Sequence, residues 1–435
     1  MESHQRKIMR ISDQLRLRDS NEPLILMKKA VSHQVPKADG RKDLYQKLDV
    51  SDLDEIIDID VEKRICTAEP GATFEKVVES TLAYGLVPLV VPELRTITIG
   101  GAVSGGSIES MSYRFGGFHD SCLEYEVLTA KGDIIVCSPE GDESLLFNMM
   151  HWSFGTLGII TLIKFRLIPA KPYVKVTYEK YRSLEEYNRA IWSHYLSRDI
   201  DFMDGIIHSP EEYVLSCGNF TDDAPYTHRY DWMRIYYLST ASRREDYLKT
   251  SDYFFRYNKG VTNVRPKSFA GRLLFGRLVS SDITLRMAHR FVKVLPEKAI
   301  PITVDTFIPF SKMGEFMEWY EKEINHFPLW CVPYKVAHKY EWLSDEFAEG
   351  VKDELFLDIA IYGMYRENPE IWHRLIEEEL MDIGAIKTLI SSNHYSEEEF
   401  WSIFNKENYE TIKRRMDPDN ILRDIYKKTC FKSQD

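Results

Sequence analysis

Between Pro92 and Ile160 the chain gathers residue types that can hold a phosphorylated ligand. Gly100, Gly101, Gly105 and Gly106 fall in two pairs within a stretch of small and hydroxyl-bearing residues that includes Thr98, Ser104 and Ser107. A backbone without Cβ atoms can approach a ligand closely and turn its N–H groups toward phosphate oxygens. A diphosphate suits such a stretch, although glycine pairs alone serve equally well as plain turns. Neither a G-x-G-x-x-G run opening a helix nor a Gly-Lys-Ser/Thr sequence is present, so nicotinamide and nucleoside-triphosphate folds are disfavoured. Two further pieces add glycines to aromatic and polar residues: Tyr113-Arg114-Phe115-Gly116-Gly117-Phe118-His119-Asp120, and Trp152-Ser153-Phe154-Gly155-Thr156-Leu157-Gly158-Ile159-Ile160.

Taken together these pieces resemble the FAD-binding domain of the vanillyl-alcohol oxidase superfamily, the PCMH type. Within it, Pro92-Glu93-Leu94, Gly100-Gly101, Ile108-Glu109-Ser110, His119 and Trp152 to Gly158 are most similar to the delta(24)-sterol reductases, the Diminuto-like proteins. The similarity continues through Ile168-Pro169-Ala170-Lys171, and returns in Pro328 to Cys331, Glu354 to Ile359, Tyr362-Gly363 and Glu398 to Trp401. The resemblance implies a cofactor-facing set: Pro92, Glu93, Thr98, Ile99, Gly100, Gly101, Ser104, Gly105, Gly106, Ser107 and Ile108, then Phe115, Gly116 and His119, then Gly155, Gly158 and Ile160. Many relatives place a glycine-rich phosphate loop where this chain reads Lys28-Lys29-Ala30-Val31-Ser32-His33-Gln34. The glycines are missing here, which leaves Ser32 and His33 as the donors to phosphate, with a strand-end turn as the plainer alternative. The surroundings of covalently attached flavins in the superfamily are absent around His119 and Cys122, so the FAD is expected to be noncovalent.

The chemistry follows from the cofactor more than from any spacing of side chains. In a sterol-reductase-like reaction a hydride is delivered to an isolated carbon–carbon double bond, while an acid protonates the other carbon. The resemblance implies NADPH as the reductant and a sterol- or isoprenoid-like lipid, or a smaller molecule, as the substrate. Glu93, Tyr113, Tyr362, His394 and Tyr395 are the candidate acids, set against ordinary structural roles for a buried acid or a core tyrosine. The chief rival is oxidation of a hydroxyl group in an alcohol, a sugar or a polyprenyl-phosphoryl sugar. Sugar oxidases of the superfamily carry a Tyr and a Lys where this chain has Ile390 and Asn393, which weakens that alternative. A third class is a flavin- or lipid-binding protein without turnover.

An α+β fold must position these residues: a two-subdomain PCMH-type domain over 1–171, an antiparallel-sheet-and-helix cap over 172–388, and a C-terminal segment over 389–435 that returns to the FAD domain. Ile56 to Asp60 and Arg64 to Ala68 read as a hairpin, and Thr73 caps a helix whose apolar face carries Phe74, Val77 and Val78. Val87 to Val91 reads as a buried strand, and Glu124 to Ala130 with Asp133 to Ser138 as a second hairpin turned at Lys131-Gly132. Beyond Pro172, Tyr173 to Tyr178 alternates like a half-exposed strand, with amphipathic helices at Ser183 to Leu196 and Glu370 to Ile383. Ser396-Glu397-Glu398-Glu399 is a capping box before another helix, and the chain breaks at Asp417-Pro418.

Composition limits partners. A net charge of −12 over 435 residues argues against a general nucleic-acid binder. The six cysteines lack CxxC or paired spacing, which suits free thiols in a reducing compartment and predicts no metal site. No run near the N-terminus resembles a signal peptide or a membrane span, so a cytoplasmic protein is expected. One stretch departs from the acidic average: from Arg256 to Lys298 there are ten basic residues against two acidic ones, interleaved with Phe269, Leu273, Leu274 and Phe275. Such a mixture suits peripheral contact with an anionic membrane, and equally a solvated basic face of the cap.

Overall fold

The computed structural model describes residues 3–18, 22–30, 45–231, 234–260 and 301–430. Its fold is α+β, built on three sheets.

β1 (Leu24–Met27) and β2 (Gln46–Asp49) form a parallel pair. The next sheet takes β3 (Ile56–Asp60), β4 (Ile65–Ala68), β6 (Cys122–Leu128), β7 (Ile134–Cys137) and β8 (Ile159–Pro169) in the order β3-β4-β8-β6-β7, with β5 (Leu86–Pro88) paired to β8. The β3–β4 and β6–β7 hairpins stand where turn residues and alternation put them, Gly132 adopting φ +81° at the second. Thr73 caps the helix Phe74–Leu82 by accepting from the Lys76 N–H at 3.3 Å. The strand expected over Val87 to Val91 stops at Pro88. Pro88 and Pro92 have no N–H to give a ladder, so Val90 and Val91 are buried as loop residues instead. The glycine stretch therefore crosses the face of the sheet between β5 and β6 as loops and two short helices, Ile99–Gly105 and Ser112–Phe115.

The third sheet is antiparallel throughout, with eight strands: β9 (Tyr173–Tyr181), β10 (Phe202–Ser209), β11 (Glu212–Thr221), β12 (Glu245–Lys249), β13 (Ile302–Pro309), β14 (Leu329–Lys335), β15 (Leu355–Met364) and β16 (Ile386–Lys387). Their order is β12-β9-β11-β10-β14-β15-β13-β16. Alternation along each strand divides the side chains between two cores. Val304, Ile308, Leu329, Cys331, Leu357 and Ile359 lie under the helices Leu184–Ser197, Met313–Glu323 and Pro369–Asp382. Phe307, Trp330, Val332, Tyr334 and Phe356 point the other way, into one core with Ile99, Val103 and Trp152 of the glycine-bearing segments. The central strands have no polar edge to solvent and read as nearly continuous apolar runs.

The last residues are tied back to the first half. Ser396 and Glu399 form the expected capping box, and the helix Lys406–Met416 packs on Ser144–Met150. The N–H of Ala130 donates to the Met416 carbonyl at 2.8 Å, and Lys413 Nζ donates to the Thr156 carbonyl at 2.8 Å. Among the described residues no helix is long and apolar enough to cross a membrane.

Candidate functional site

A cleft opens where the end of β1 meets the glycine segments. It is lined by Leu26, Lys28, Lys29 and Ala30 at the strand end, by Pro70 and Gly71, by Thr98, Gly100, Gly101 and Ser104, and by residues of the 150–160 segment, among them Ser153, Gly155, Gly158 and Ile160.

The glycines in it do different jobs. A Cβ on Gly100 would stand 2.6 Å from Pro70 Cβ, and one on Gly158 2.6 Å from Val127 Cγ1, so these positions need glycine for close packing of backbone on neighbour. Gly155 has φ +68°, and a Cβ there, like one on Gly105, would meet nothing within 4 Å. Of these two only Gly155 lines the cleft. The expectation that the Gly100-Gly101 N–H groups point at phosphate is corrected: the Gly100 N–H donates to the Pro70 carbonyl at 2.9 Å and that of Gly101 to Thr98 Oγ1 at 3.2 Å. Gly106, φ +73°, likewise donates to Ala102 O and lies against the Trp152 indole.

Of the expected cofactor-facing residues, Thr98, Gly100, Gly101, Ser104, Gly155, Gly158 and Ile160 line the cleft. Ile99 points into the core instead, fully buried, because it opens the helix on its sheet-facing side. Pro92, Glu93, Gly105, Gly106, Ser107, Ile108, Phe115 and Gly116 lie outside the cleft lining. His119 is buried one layer further in. Its ring meets His151 at 4.8 Å and Tyr340 at 5.8 Å, and its Nε2 is 3.5 Å from Asp120. Ser32 and His33 lie outside the described residues.

A second grouping was not visible in the sequence. Asp305 and Asp358 stand on adjacent strands with side chains on the face that looks toward the glycine segments. Asp305 pairs with Ala360 and Phe307 with Asp358, which makes the two acids diagonal neighbours. Phe307 touches Trp152 at 5.6 Å, and Trp152 stacks on Trp342 at 4.7 Å, so this face adjoins the Gly106 end of the glycine segment. Tyr362 donates its hydroxyl hydrogen to Asp305 Oδ1.

Burial pushes the Asp305 carboxyl up to about 6 and the Glu93 carboxyl up to about 8. Asp358 is driven well above the usual carboxylate range, first by burial and then by the charge of Asp305, and its Oδ1 has no hydrogen-bond partner among the described residues. Glu93 and Tyr362 are only half-buried by area yet desolvated, as groups on the wall of an interior space are. The signal for the two aspartates was a lone acid in each of two otherwise uncharged strand sequences, Ile302 to Ile308 and Leu355 to Ile361.

Three of the five candidate acids are elsewhere. Tyr113 is buried in the helix-covered core and donates to the Ile200 carbonyl, a packing role. The His394 N–H donates to Glu377 Oε1 at 2.9 Å, and its ring stacks on His373. Tyr395 is buried beside that same Glu377, which Lys387 neutralises at 2.5 Å. Glu93 and Tyr362 alone of the five join the aspartates.

A further buried charge closes the grouping on one side. Arg256 lies 2.8 Å from Glu109 Oε1 and 3.0 Å from Asp204 Oδ1, its guanidinium against the rings of Tyr253, Tyr257 and Tyr236 at 4.1, 4.9 and 5.2 Å. This corrects the basic stretch at its first member, which is interior ionic structure and not surface. Residues 261–298 of that stretch lie outside the described residues.

The cleft fits a flavin dinucleotide. Its lining offers lysines and hydroxyls for a diphosphate, Leu26, Val50, Leu53, Met150, Ile159 and Ile160 for ring systems, and Gly155 with open space before it. A profile for the FAD binding domain matches residues 34–138, which span the glycine stretch. The chain thus carries a PCMH-type FAD-binding domain. It is an FAD-dependent oxidoreductase, similar over most of its length to delta(24)-sterol reductases. The human delta(24)-sterol reductase is 26% identical over 403 residues, covering 87% of this chain and 76% of the relative. That of Pisum sativum is 24% identical over 99% of this chain and 85% of its own length. Cytokinin dehydrogenase 9 of Oryza sativa is 30% identical over 143 residues, only 32% of this chain and 27% of its own.

Proposed function

We propose that this flavoprotein reduces an isolated carbon–carbon double bond of a sterol- or isoprenoid-like lipid, with NADPH as electron donor. Bound FAD supplies hydride chemistry, and Thr98, Ser104, Gly155 and the lysines at the cleft mouth are the residues that would hold it. The observation that carries this proposal is the cluster of buried carboxyls with raised pKa values. A carbon of an unpolarised alkene that has received a hydride on its neighbour must gain a proton, and a carboxyl held neutral near pH 7 can give one. Glu93 is the donor in this scheme, with Asp358 as its neutral neighbour. The Asp305–Tyr362 hydrogen bond holds the adjoining wall in place. The names of relatives that match most of the chain support a sterol-like substrate.

The residue assignments and the three-part organisation over 1–171, 172–388 and 389–435 belong to the same proposal, as does peripheral membrane contact through the remainder of the basic stretch, 259–298. Hydroxyl oxidation is the second scheme. It needs a base, and Asp305, at about 6, is ionised at pH 7 and so offers one. Anaerobic mixing separates the two. NADPH should bleach the flavin and an alkene such as a sterol with a side-chain double bond should restore its colour. Bleaching by an alcohol, with no response to NADPH and alkene, would refute the reductase.

A further inference from the structure

On the helix-covered face of the eight-stranded sheet, opposite to Asp305 and Asp358, three donor atoms of different chemistry converge. Cys217 stands on β11, Glu179 on the neighbouring β9, and His194 on the helix Leu184–Ser197 that packs across both. In the ladder Cys217 pairs with Thr177 and Leu215 with Glu179, so Cys217 and Glu179 are diagonal neighbours on one face. The thiol sulfur, an imidazole nitrogen and a carboxylate oxygen all lie within 4.8 Å of one another. His194 Nε2 is 3.3 Å from Glu179 Oε2.

The surroundings of these three atoms are organised as well. His194 Nδ1 is 2.9 Å from Asp199 Oδ1, an oxygen that also accepts from Ser197 Oγ at 2.6 Å. A carboxylate on that nitrogen keeps a proton on Nδ1 and orients the ring so that Nε2 is the atom presented to Glu179 and Cys217, which is how metal-ligating histidines are commonly held. Tyr181 donates to Glu179 Oε2 at 2.7 Å and orients the carboxylate. Cys217 is covered, whereas the His194 and Glu179 side chains are 16% and 31% exposed, which leaves a way in for an ion.

We propose that Glu179, His194 and Cys217 bind one divalent transition-metal ion of the zinc class, with Asp199 and Tyr181 as positioning residues. Three protein ligands of S, N and O type, with a fourth position toward solvent, suit Zn²⁺, whereas Mg²⁺ and Ca²⁺ prefer all-oxygen sites. The Cys217 thiol proton and the His194 Nε2 proton leave to solvent as the metal–sulfur and metal–nitrogen bonds form. No oxidation state changes. The ion would clasp two strands and their covering helix, and, standing on the face away from the carboxyl cluster, would take no part in the flavin reaction.

The test uses the full flavin-loaded chain, stripped of metal by chelator dialysis and titrated with Co²⁺. The expected result is one cobalt per chain, with a thiolate charge-transfer band in the difference spectrum and d–d bands in the red, where oxidised flavin does not absorb. Zn²⁺ should displace it. Cys217→Ser should lose the charge-transfer band, and Asp199→Asn should weaken cobalt binding by about 10-fold or more, both at wild-type flavin content. Should Cys217→Ser fail to retain flavin, the more exposed Asp199→Asn carries the comparison. Cobalt well below one per chain without d–d bands in the flavin-loaded wild type would overturn the site, as would a thiolate band unchanged in a flavin-retaining Cys217→Ser chain, or wild-type cobalt affinity in Asp199→Asn.

Discussion

The two faces of the eight-stranded sheet share every strand and differ in what they bury. Under the helices the strands present Val304, Ile308, Leu357 and Ile359, and toward the glycine segments the same strands present Asp204, Asp305 and Asp358. Burying a carboxyl costs free energy unless the group is paired or neutralised. This face uses both remedies: Asp204 is paired with Arg256, and Asp358 is kept from ionising by its surroundings. One face is arranged for stability, and the other gives some of it up to keep titratable groups out of water. That asymmetry separates scaffold from site more sharply than any motif does.

The largest effect expected from breaking the comparison is catalytic. Glu93→Gln keeps the shape of the wall and removes its proton, so turnover of an alkene substrate should fall about 10²–10⁴-fold, with flavin content unchanged. In the wild type the acid works only while protonated, so activity should decline as pH rises through about 8. A flat pH profile in the wild type, or full activity in the variant, would move the donor role elsewhere. The same group acts on stability with a definite sign. Its folded pKa lies above its ordinary value of 4.5, so the folded chain binds the extra proton, and the stabilisation present at low pH is lost as pH rises through about 8. Denaturant midpoints measured across that range should fall in the wild type and fall less in Glu93→Gln.

Next comes the opposite face. Leu357→Ala should lose about 2–5 kcal/mol of stability in urea unfolding, while the folded fraction keeps its flavin and its turnover number. The smallest effect is the sharpest test of the asymmetry. Because Asp358 holds its proton, Asp358→Asn should change stability at pH 7 by less than about 1 kcal/mol. A loss as large as that of Leu357→Ala would mean that Asp358 is ionised, and the distinction between the faces would collapse.

Local signals in the sequence located the local structure well. Thr73 as a cap, Gly132 in its turn, the capping box at Ser396 and the alternation after Tyr173 all depend on neighbours within a few residues, and all are found in place. The site was only half legible for the opposite reason. Whether the Gly100 N–H is free depends on the Pro70 carbonyl, thirty residues away in sequence, which takes it. Tyr113 looked available because nothing near it in sequence reveals the Ile200 carbonyl that accepts its hydroxyl. Arg256 counted toward a basic stretch until Glu109 and Asp204 were seen to enclose it. The two aspartates carried a signal, an acid in the middle of an otherwise uncharged strand, but their convergence with Glu93 is a property of strand order. The Glu179–His194–Cys217 grouping gave no local spacing at all, since its three members come from two strands and a helix.

The cleft loop from Ser153 to Gly158 hangs on residues made long after it. Lys413 holds the carbonyl of Thr156 at 2.8 Å and Lys428 that of Phe154 at 2.5 Å. On the ribosome the glycine segments emerge more than 250 residues before the two ammonium groups that fix this loop. Cofactor capture in its final geometry therefore waits for Lys413 and Lys428, and a nascent chain without them would keep the strands of its first half while lacking a settled seat for the dinucleotide.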